Sequence, residues 1–336
     1  MEYRLMGRTG VEVSPMALGC MMFGDRTTPE DSYAIIDRAL DAGINLLDTS
    51  NSYGRGRSEE VTGDALKRNG RRDQVILATK YYIRIGEGPN MMGSSRRFII
   101  EQCEKSLRRL KTDYIDLYQQ HRPNPNTPID ETLRALDDLV TSGKVRYIGT
   151  STFAAWQVME ALWTSDRQRL NRFVTEQPPY NIFERRIERE LIPMAQTYGL
   201  AVLPWSPLAA GLLSGKYGHG KAPHPDEARY ARWPGNPLEK ARWVQPVYDA
   251  VEKLAALAEA KGCTLSQFAL AWVMGQPGVT SAIIGPRTME QLEDNLKALE
   301  VSITDEDRKA VDRIVPRGGM VVPYYEAEFG PHPHRI

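Results

Sequence analysis

The chain has 336 residues, in which 43 lysines and arginines balance 43 aspartates and glutamates. That balance gives no global field for nucleic acid or an anionic membrane, and three widely spaced cysteines, Cys20, Cys103 and Cys263, make neither a disulfide framework nor a zinc motif. The first residues lack a secretory apolar core and no apolar run reaches the about 18 residues that span a bilayer, so a cytoplasmic protein is expected.

Two short alternating stretches, 3–6 and 11–13, flank the turn Gly7-Arg8-Thr9-Gly10 and predict a hairpin that caps the bottom of something larger. An apolar first strand spans 16–23, and Pro29-Glu30-Asp31 opens a helix that Gly43 ends. From 44–47 onward strands and helices alternate. Helices are expected over 59–67, 97–110, 129–141, 155–163, 187–198 and 290–299. Strands are expected over 75–79, 114–118, 145–148, 173–176, 200–203 and 281–284. About two further helices fall in 246–276. Eight strands interleaved with helices predict an α/β fold of the (β/α)8 TIM-barrel type, with the N-terminal β-hairpin and extra helices and loops at its C-terminal face. One domain over 1–336 suffices, with 1–15 as the cap, 214–245 as a long loop on the active-site face, and 316–336 as a tail that folds over the same mouth or frays.

Three successive strands end on groups able to move or tune a proton. The run 44–47 ends at Asp48 and delivers Tyr53 five positions later; 75–79 stops at Lys80; 114–120 stops at His121. A charged residue closing one strand is ordinary, but catalytic groups in barrels come from the ends of several strands. Other chemistries lack their parts. Gly54-Arg55-Gly56-Arg57-Ser58-Glu59 misses the third glycine of a dinucleotide fingerprint, and 211–217 is one residue short of a Walker loop. No Gly-x-Ser-x-Gly elbow or His-Glu-x-x-His helix occurs, and His121 is the one histidine on the scaffold, so no metal site is expected. A phenol titrates near about pH 10, too high for an efficient donor at neutrality. A lysine cation beside it favours the phenolate, and a carboxylate holds that cation in place. Such an acid suits hydride addition to a carbonyl, with a reduced nicotinamide carrying the hard chemistry.

The ordered set Asp48, Tyr53, Lys80 and His121 resembles that of the aldo-keto reductases over nearly the full chain. The resemblance implies a (β/α)8 barrel binding NADPH without a Rossmann fold, Tyr53 as general acid, Lys80 and Asp48 as its tuners, and His121 as the group that orients a small-molecule carbonyl substrate. It also implies a cofactor site. Ser151, Thr152 and Gln177 fall where the family binds the nicotinamide carboxamide, Thr152 standing for the usual asparagine. Trp205 falls at the stacking aromatic, a reading favoured over an ordinary core tryptophan at a strand end. Ser206, Leu208, Ala209, Gly211 and Lys216 match the pyrophosphate grip. Gly285, Arg287, Gln291, Asp294 and Asn295 match the segment around the adenosine 2′-phosphate, with Arg229 of the long loop as a helper. Many members carry lysine and arginine at the places of Gly285 and Gln291, which leaves Arg287 as the main local cation.

Within the family, 122–128, 205–209, 214–217 and 262–267 resemble the β-subunits of voltage-gated potassium channels. Those subunits are tetrameric, which implies a homo-oligomer, and can lack the histidine present here as His121. Its presence favours an active reductase over a cofactor-binding regulatory subunit, as does a chain that begins at its hairpin without an extension to occlude a pore. A barrel hydrolase using Asp and His would act without nicotinamide. Tyr82, Met91, Met92, Trp233, Trp243, Tyr324 and Tyr325 are candidates to line an apolar pocket, or to pack on the scaffold.

Overall fold

The computed structural model describes residues 1–217 and 244–321. An antiparallel hairpin, β1 (Arg4–Leu5) and β2 (Glu12–Val13), precedes β3 (Met16–Gly19), β4 (Leu46–Asp48), β5 (Ile76–Tyr81), β6 (Ile115–Gln120), β7 (Val145–Ser151), β8 (Phe173–Gln177), β9 (Ala201–Val202) and β10 (Ala282–Ile284). The last eight form one parallel sheet in chain order, with β10 returning beside β3. The remaining edge closes through Thr280 N–H to Val202 O at 2.9 Å and Ile283 N–H to Pro204 O at 2.8 Å. The architecture is the (β/α)8 barrel.

Between strands lie α1 (Pro29–Asp41), α2 (Arg57–Asn69), α3 (Arg96–Leu110), α4 (Ile129–Thr141), α5 (Ala155–Gln168) and α6 (Leu191–Tyr198). After the 218–243 segment come α7 (Gln245–Ala260), α8 (Leu265–Met274), α9 (Met289–Leu296) and α10 (Asp305–Ile314). Local chemistry fixes the ends. Thr28 caps α1 by accepting from Asp31 N–H, with Pro29 at the first helical position, and Ser95 caps α3 through Phe98 N–H. The two helices expected over 246–276 are α7 and α8. The helix expected over 187–198 is instead a 3₁₀ turn, Arg186–Glu188, followed by the shorter α6. The sequence reading missed α10, although Thr304 and Asp307 form a reciprocal capping box at its start. No helix among the described residues is long and apolar enough to cross a membrane.

Strand alternation divides the interior into layers. Leu46, Ala78, Leu117, Ala201, Leu203 and Ile283 point inward and pack with Met6 and Val13 of the hairpin, which therefore closes the barrel floor. Alternate residues such as Leu47, Leu77, Tyr118 and Ile148 point outward into the buried shell under the helices. Burying each such side chain is worth about 1.5–3 kcal/mol. One inward step above the floor, the side chains change character: Asp48, Lys80, Gln119, Ser151 and Gln177 all lie buried at the C-terminal mouth. The start of the tail returns to the segment after β8, where Arg185 N–H donates to Gly319 O and Val321 N–H to Phe183 O, each at 2.9 Å.

Candidate active site

The loop after β4 is stitched to β5 by its backbone. Thr49 N–H donates to Ala78 O at 2.9 Å and Asn51 N–H to Lys80 O at 3.1 Å. It then turns sharply through Gly54, Arg55 and Gly56, all at positive φ, into α2. Two glycines make that turn accessible and Tyr53 is left at its apex, above Lys80.

Lys80 is completely buried, and its ammonium meets three acceptors: the Asp48 carboxylate, Thr49 O at 2.9 Å and the Tyr53 hydroxyl at 3.4 Å. Three N–H groups and three acceptors leave no orphan donor. Burial by itself pulls the Lys80 pKa down, but the Asp48 charge, Tyr53 and their hydrogen bonds outweigh it, so the group is held above its ordinary value and cationic. The second Asp48 oxygen accepts from Gln177 Nε2 at 2.9 Å and Gln119 Nε2 at 3.3 Å.

His121 follows β6 and is held by its own N–H donating to Tyr81 O at 2.9 Å. Its Nε2 stands 3.5 Å from the Tyr53 hydroxyl and its Nδ1 3.3 Å from Ser50 Oγ. The two rings meet edge to face, 5.6 Å apart. Burial, then the Arg122 and Lys80 charges, push the imidazole pKa well below its ordinary value. His121 is therefore neutral near pH 7, with one ring nitrogen a donor and the other an acceptor. The four residues singled out from three strand ends meet in one place.

Beside them, Ser151 Oγ donates to Gln177 O at 2.9 Å, and Thr152 has φ of 61°, a left-handed conformation costly for a β-branched residue. Arg122 Nη1 donates to Thr152 Oγ1 at 3.0 Å, and the guanidinium lies 5.8 Å from the Trp205 ring centre. Trp205 is set by its N–H donating to Pro178 O at 2.9 Å. Ser206, Ala209 and Gly211 also lie at positive φ, in a compact turn with Leu208 that leads to the exposed Lys216. Across the mouth, Gly285 follows β10 and Asn295 lies buried on α9. Gln291 Oε1 accepts from Arg287 N–H at 2.8 Å, so its side chain braces backbone. The Asp294 carboxylate takes Ser266 Oγ at 2.8 Å and Gln267 Nε2 at 2.7 Å, joining α9 to the start of α8. Arg229, Trp233, Trp243, Tyr324 and Tyr325 lie outside the described residues.

Three site neighbours escaped the sequence reading. Gln119 is the inward position between Leu117 and His121, where strand alternation gives it away. Arg122 enters the sequence reading only as the first residue of the 122–128 resemblance, with nothing that points to Thr152 or Trp205. Glu176 faces away from the mouth, fully buried, accepting from Thr150 Oγ1 at 2.5 Å and Phe153 N–H at 3.1 Å. Burial, only partly offset by these bonds and by Arg122, raises its pKa to about 7.

The chain is similar to known proteins along most of its length. The chain is 41% identical over 332 residues to an uncharacterized oxidoreductase, YrpG, of Bacillus subtilis (strain 168), covering 96% of this chain and 98% of that protein. It is 38% and 37% identical to probable voltage-gated potassium channel β-subunits of Oryza sativa subsp. japonica and Arabidopsis thaliana, covering 90% of this chain and 92% of each. The Aldo/keto reductase family matches residues 15–316. With this span matched and its strand-end residues gathered at one barrel mouth, the chain belongs to the aldo/keto reductase family of oxidoreductases.

Proposed function

We propose that the protein is a cytoplasmic, NADPH-dependent reductase that converts an aldehyde or ketone to an alcohol. The observation that carries this reading is the Tyr53 hydroxyl, set between the buried Lys80 ammonium at 3.4 Å and neutral His121 Nε2 at 3.5 Å. Tyr53 gives its proton to the carbonyl oxygen, and the Lys80 cation stabilises the phenolate left behind. Asp48 keeps that cation in place. If the Ser50 hydroxyl donates to Nδ1, His121 carries its proton on Nε2 and orients the same carbonyl oxygen. Bound NADPH supplies the hydride.

The residues present fit such a cofactor. Gln177 spends its amide N–H groups on Asp48 and Gln119, at 2.9 and 3.3 Å, which leaves its oxygen as an acceptor for a carboxamide. Ser151 and Thr152 would flank that carboxamide and Trp205 would offer its ring face. Ser206, Leu208, Ala209, Gly211 and Lys216 would grip the pyrophosphate. Gly285, Arg287 and Asn295 would meet the adenosine phosphate end, with Gln291 and Asp294 bracing the segment. Fluorescence of NADPH titrated with purified protein, followed by addition of a nitrobenzaldehyde and methylglyoxal, tests the whole. Wild type binds and oxidises NADPH; Tyr53→Phe binds it but reduces neither aldehyde. Unchanged turnover in Tyr53→Phe would remove the proton-donor role.

The likeness to the plant channel subunits carries a second reading, an oligomeric cofactor-binding subunit that docks on a membrane channel. It predicts co-purification with an integral membrane protein and cofactor binding without aldehyde turnover.

A further inference from the structure

At the end of the barrel opposite Tyr53, a cavity of about 400 Å³ opens between the hairpin turn, the first residues of β7 and β8, and the end of α6. Val140, Ile148, Val174 and Tyr147 make its apolar wall, and Arg8, Arg146 and Arg172 reach into its lining; no aspartate or glutamate does, among the described residues.

The three arginines are held rather than loose. The stem of Arg8 lies across Gly199, the left-handed cap of α6, where a Cβ would collide with Arg8 Cγ and Cδ. Arg172 Nη2 donates to Tyr198 O at 2.8 Å and its Nε to Phe173 O at 3.4 Å. Arg146 sits 4.7 Å over the Tyr114 ring, with Nη1 donating to Gly143 O at 3.3 Å. Each guanidinium carries about five N–H donors, so these carbonyls occupy a small part of the supply, and Arg8 makes no hydrogen bond among the described residues. Of the neighbouring carboxylates, Asp137 accepts Asn171 N–H and its Nδ2 on one oxygen, each at 2.8 Å, and Asp116 pairs with Arg72 at 2.8 Å while also feeling the Arg146 charge. None of the three arginines forms an ion pair among the described residues. Burial, then the charge of Arg8, lowers the Arg172 pKa, as expected of two cations held near one another.

Attraction to the C-terminal carbonyls of α6 accounts for Arg172. It accounts for neither Arg146 nor the concavity. We infer that Arg8, Arg146 and Arg172 form a second ligand site that takes a small organic phosphate, its dianionic head on the guanidiniums and its body against Tyr147 and the aliphatic wall. Planar guanidinium forks match phosphate oxygens, and the volume lies within the about 300–1,000 Å³ of small-molecule sites.

The test is a ³¹P NMR titration of inorganic phosphate, then phenyl phosphate, into the full chain at constant ionic strength set with chloride. Wild type, R8A/R146A and R287A are compared, because phosphate could also settle at the opposite mouth. Saturable binding that weakens by about tenfold or more in R8A/R146A and persists in R287A is the expected result. Tighter binding of phenyl phosphate than of inorganic phosphate would support the apolar wall. Equal binding by R8A/R146A and wild type, loss in R287A alone, or no saturation in wild type would overturn the site. Arg8 and Arg146 are exposed; if R8A/R146A nonetheless melts early, R8Q/R146Q, which keeps most of each stem, replaces it.

Discussion

Lys80 Nζ lies 3.4 Å from the Tyr53 hydroxyl while the same ammonium pairs with Asp48, so one buried cation serves both a fixed carboxylate and a phenol. Lys80→Met removes that cation and strands Asp48 without its ion partner at a 4% exposed position. Loss of one partner of a buried pair costs about 3–5 kcal/mol. Carbonyl reduction should fall by at least about a hundredfold. Urea unfolding and single-turnover rates check the two effects separately, and Lys80→Met/Asp48→Leu should recover stability without recovering rate.

A proton-sensitive element lies behind the mouth. With its pKa raised to about 7, buried Glu176 holds its proton in the folded state at pH values where the unfolded chain has released it. Its contribution is therefore fully present below the ordinary glutamate range and is lost as pH rises from about 4.5 through about 7. Both forms are satisfied locally. Ionised, the carboxylate accepts from Thr150 Oγ1 at 2.5 Å; protonated, it donates to that oxygen, and Thr150 turns its hydrogen to Thr175 O at 3.3 Å. Glu176→Gln mimics the protonated form at every pH. Relative to wild type it should gain of order 3 kcal/mol between pH 5 and pH 8, read from urea midpoints. A pH-independent difference would show that Glu176 does not titrate in this range.

Much of this arrangement was legible because it follows short-range rules. Apolar runs that end on Asp48, Lys80 and His121, with Tyr53 five residues past the first, mark these groups without any knowledge of distant contacts. Arg122 and Glu176 escaped because their roles exist only across strands: Arg122 crosses from β6 to Thr152, and Glu176 faces outward from β8 to hold Thr150 and Phe153. Similarly, the role of Asp294 as acceptor for Ser266 and Gln267 exists only once α8 is in place.

Thr152 is a site of stored strain. Its φ of 61° disfavours a β-branched side chain, whereas asparagine enters this region more readily. Thr152→Asn should therefore raise stability by about 1 kcal/mol, provided its side-chain oxygen still accepts from Arg122. Thr152→Val, which keeps the branching and loses the acceptor, should lower it. Thermal unfolding of both variants beside wild type checks the ordering: Thr152→Asn no more stable than wild type would remove the strain, and Thr152→Val as stable as wild type would remove the Arg122 contribution.

Arg287 is pinned at both of its peptide groups, its N–H to Gln291 Oε1 at 2.8 Å and its carbonyl to Thr27 Oγ1 at 3.1 Å. Its guanidinium is engaged in no ion pair among the described residues, and Gly285 adds no charge. If the segment meets an adenosine 2′-phosphate, this one side chain supplies most of the local attraction. A hydrogen bond to a charged group is worth about 1.5–3 kcal/mol. Arg287→Ala should then lower the preference for NADPH over NADH by about ten- to hundredfold. The loss should fall on NADPH alone, because NADH lacks the phosphate, and Gln291→Ala should reproduce a smaller part of it by freeing the Arg287 backbone. Dissociation constants for both cofactors, measured at two salt concentrations, check the assignment: the NADPH advantage of wild type should shrink with salt, and that of Arg287→Ala should not. An unchanged NADPH-to-NADH ratio in Arg287→Ala would place the discriminating charge elsewhere in the chain.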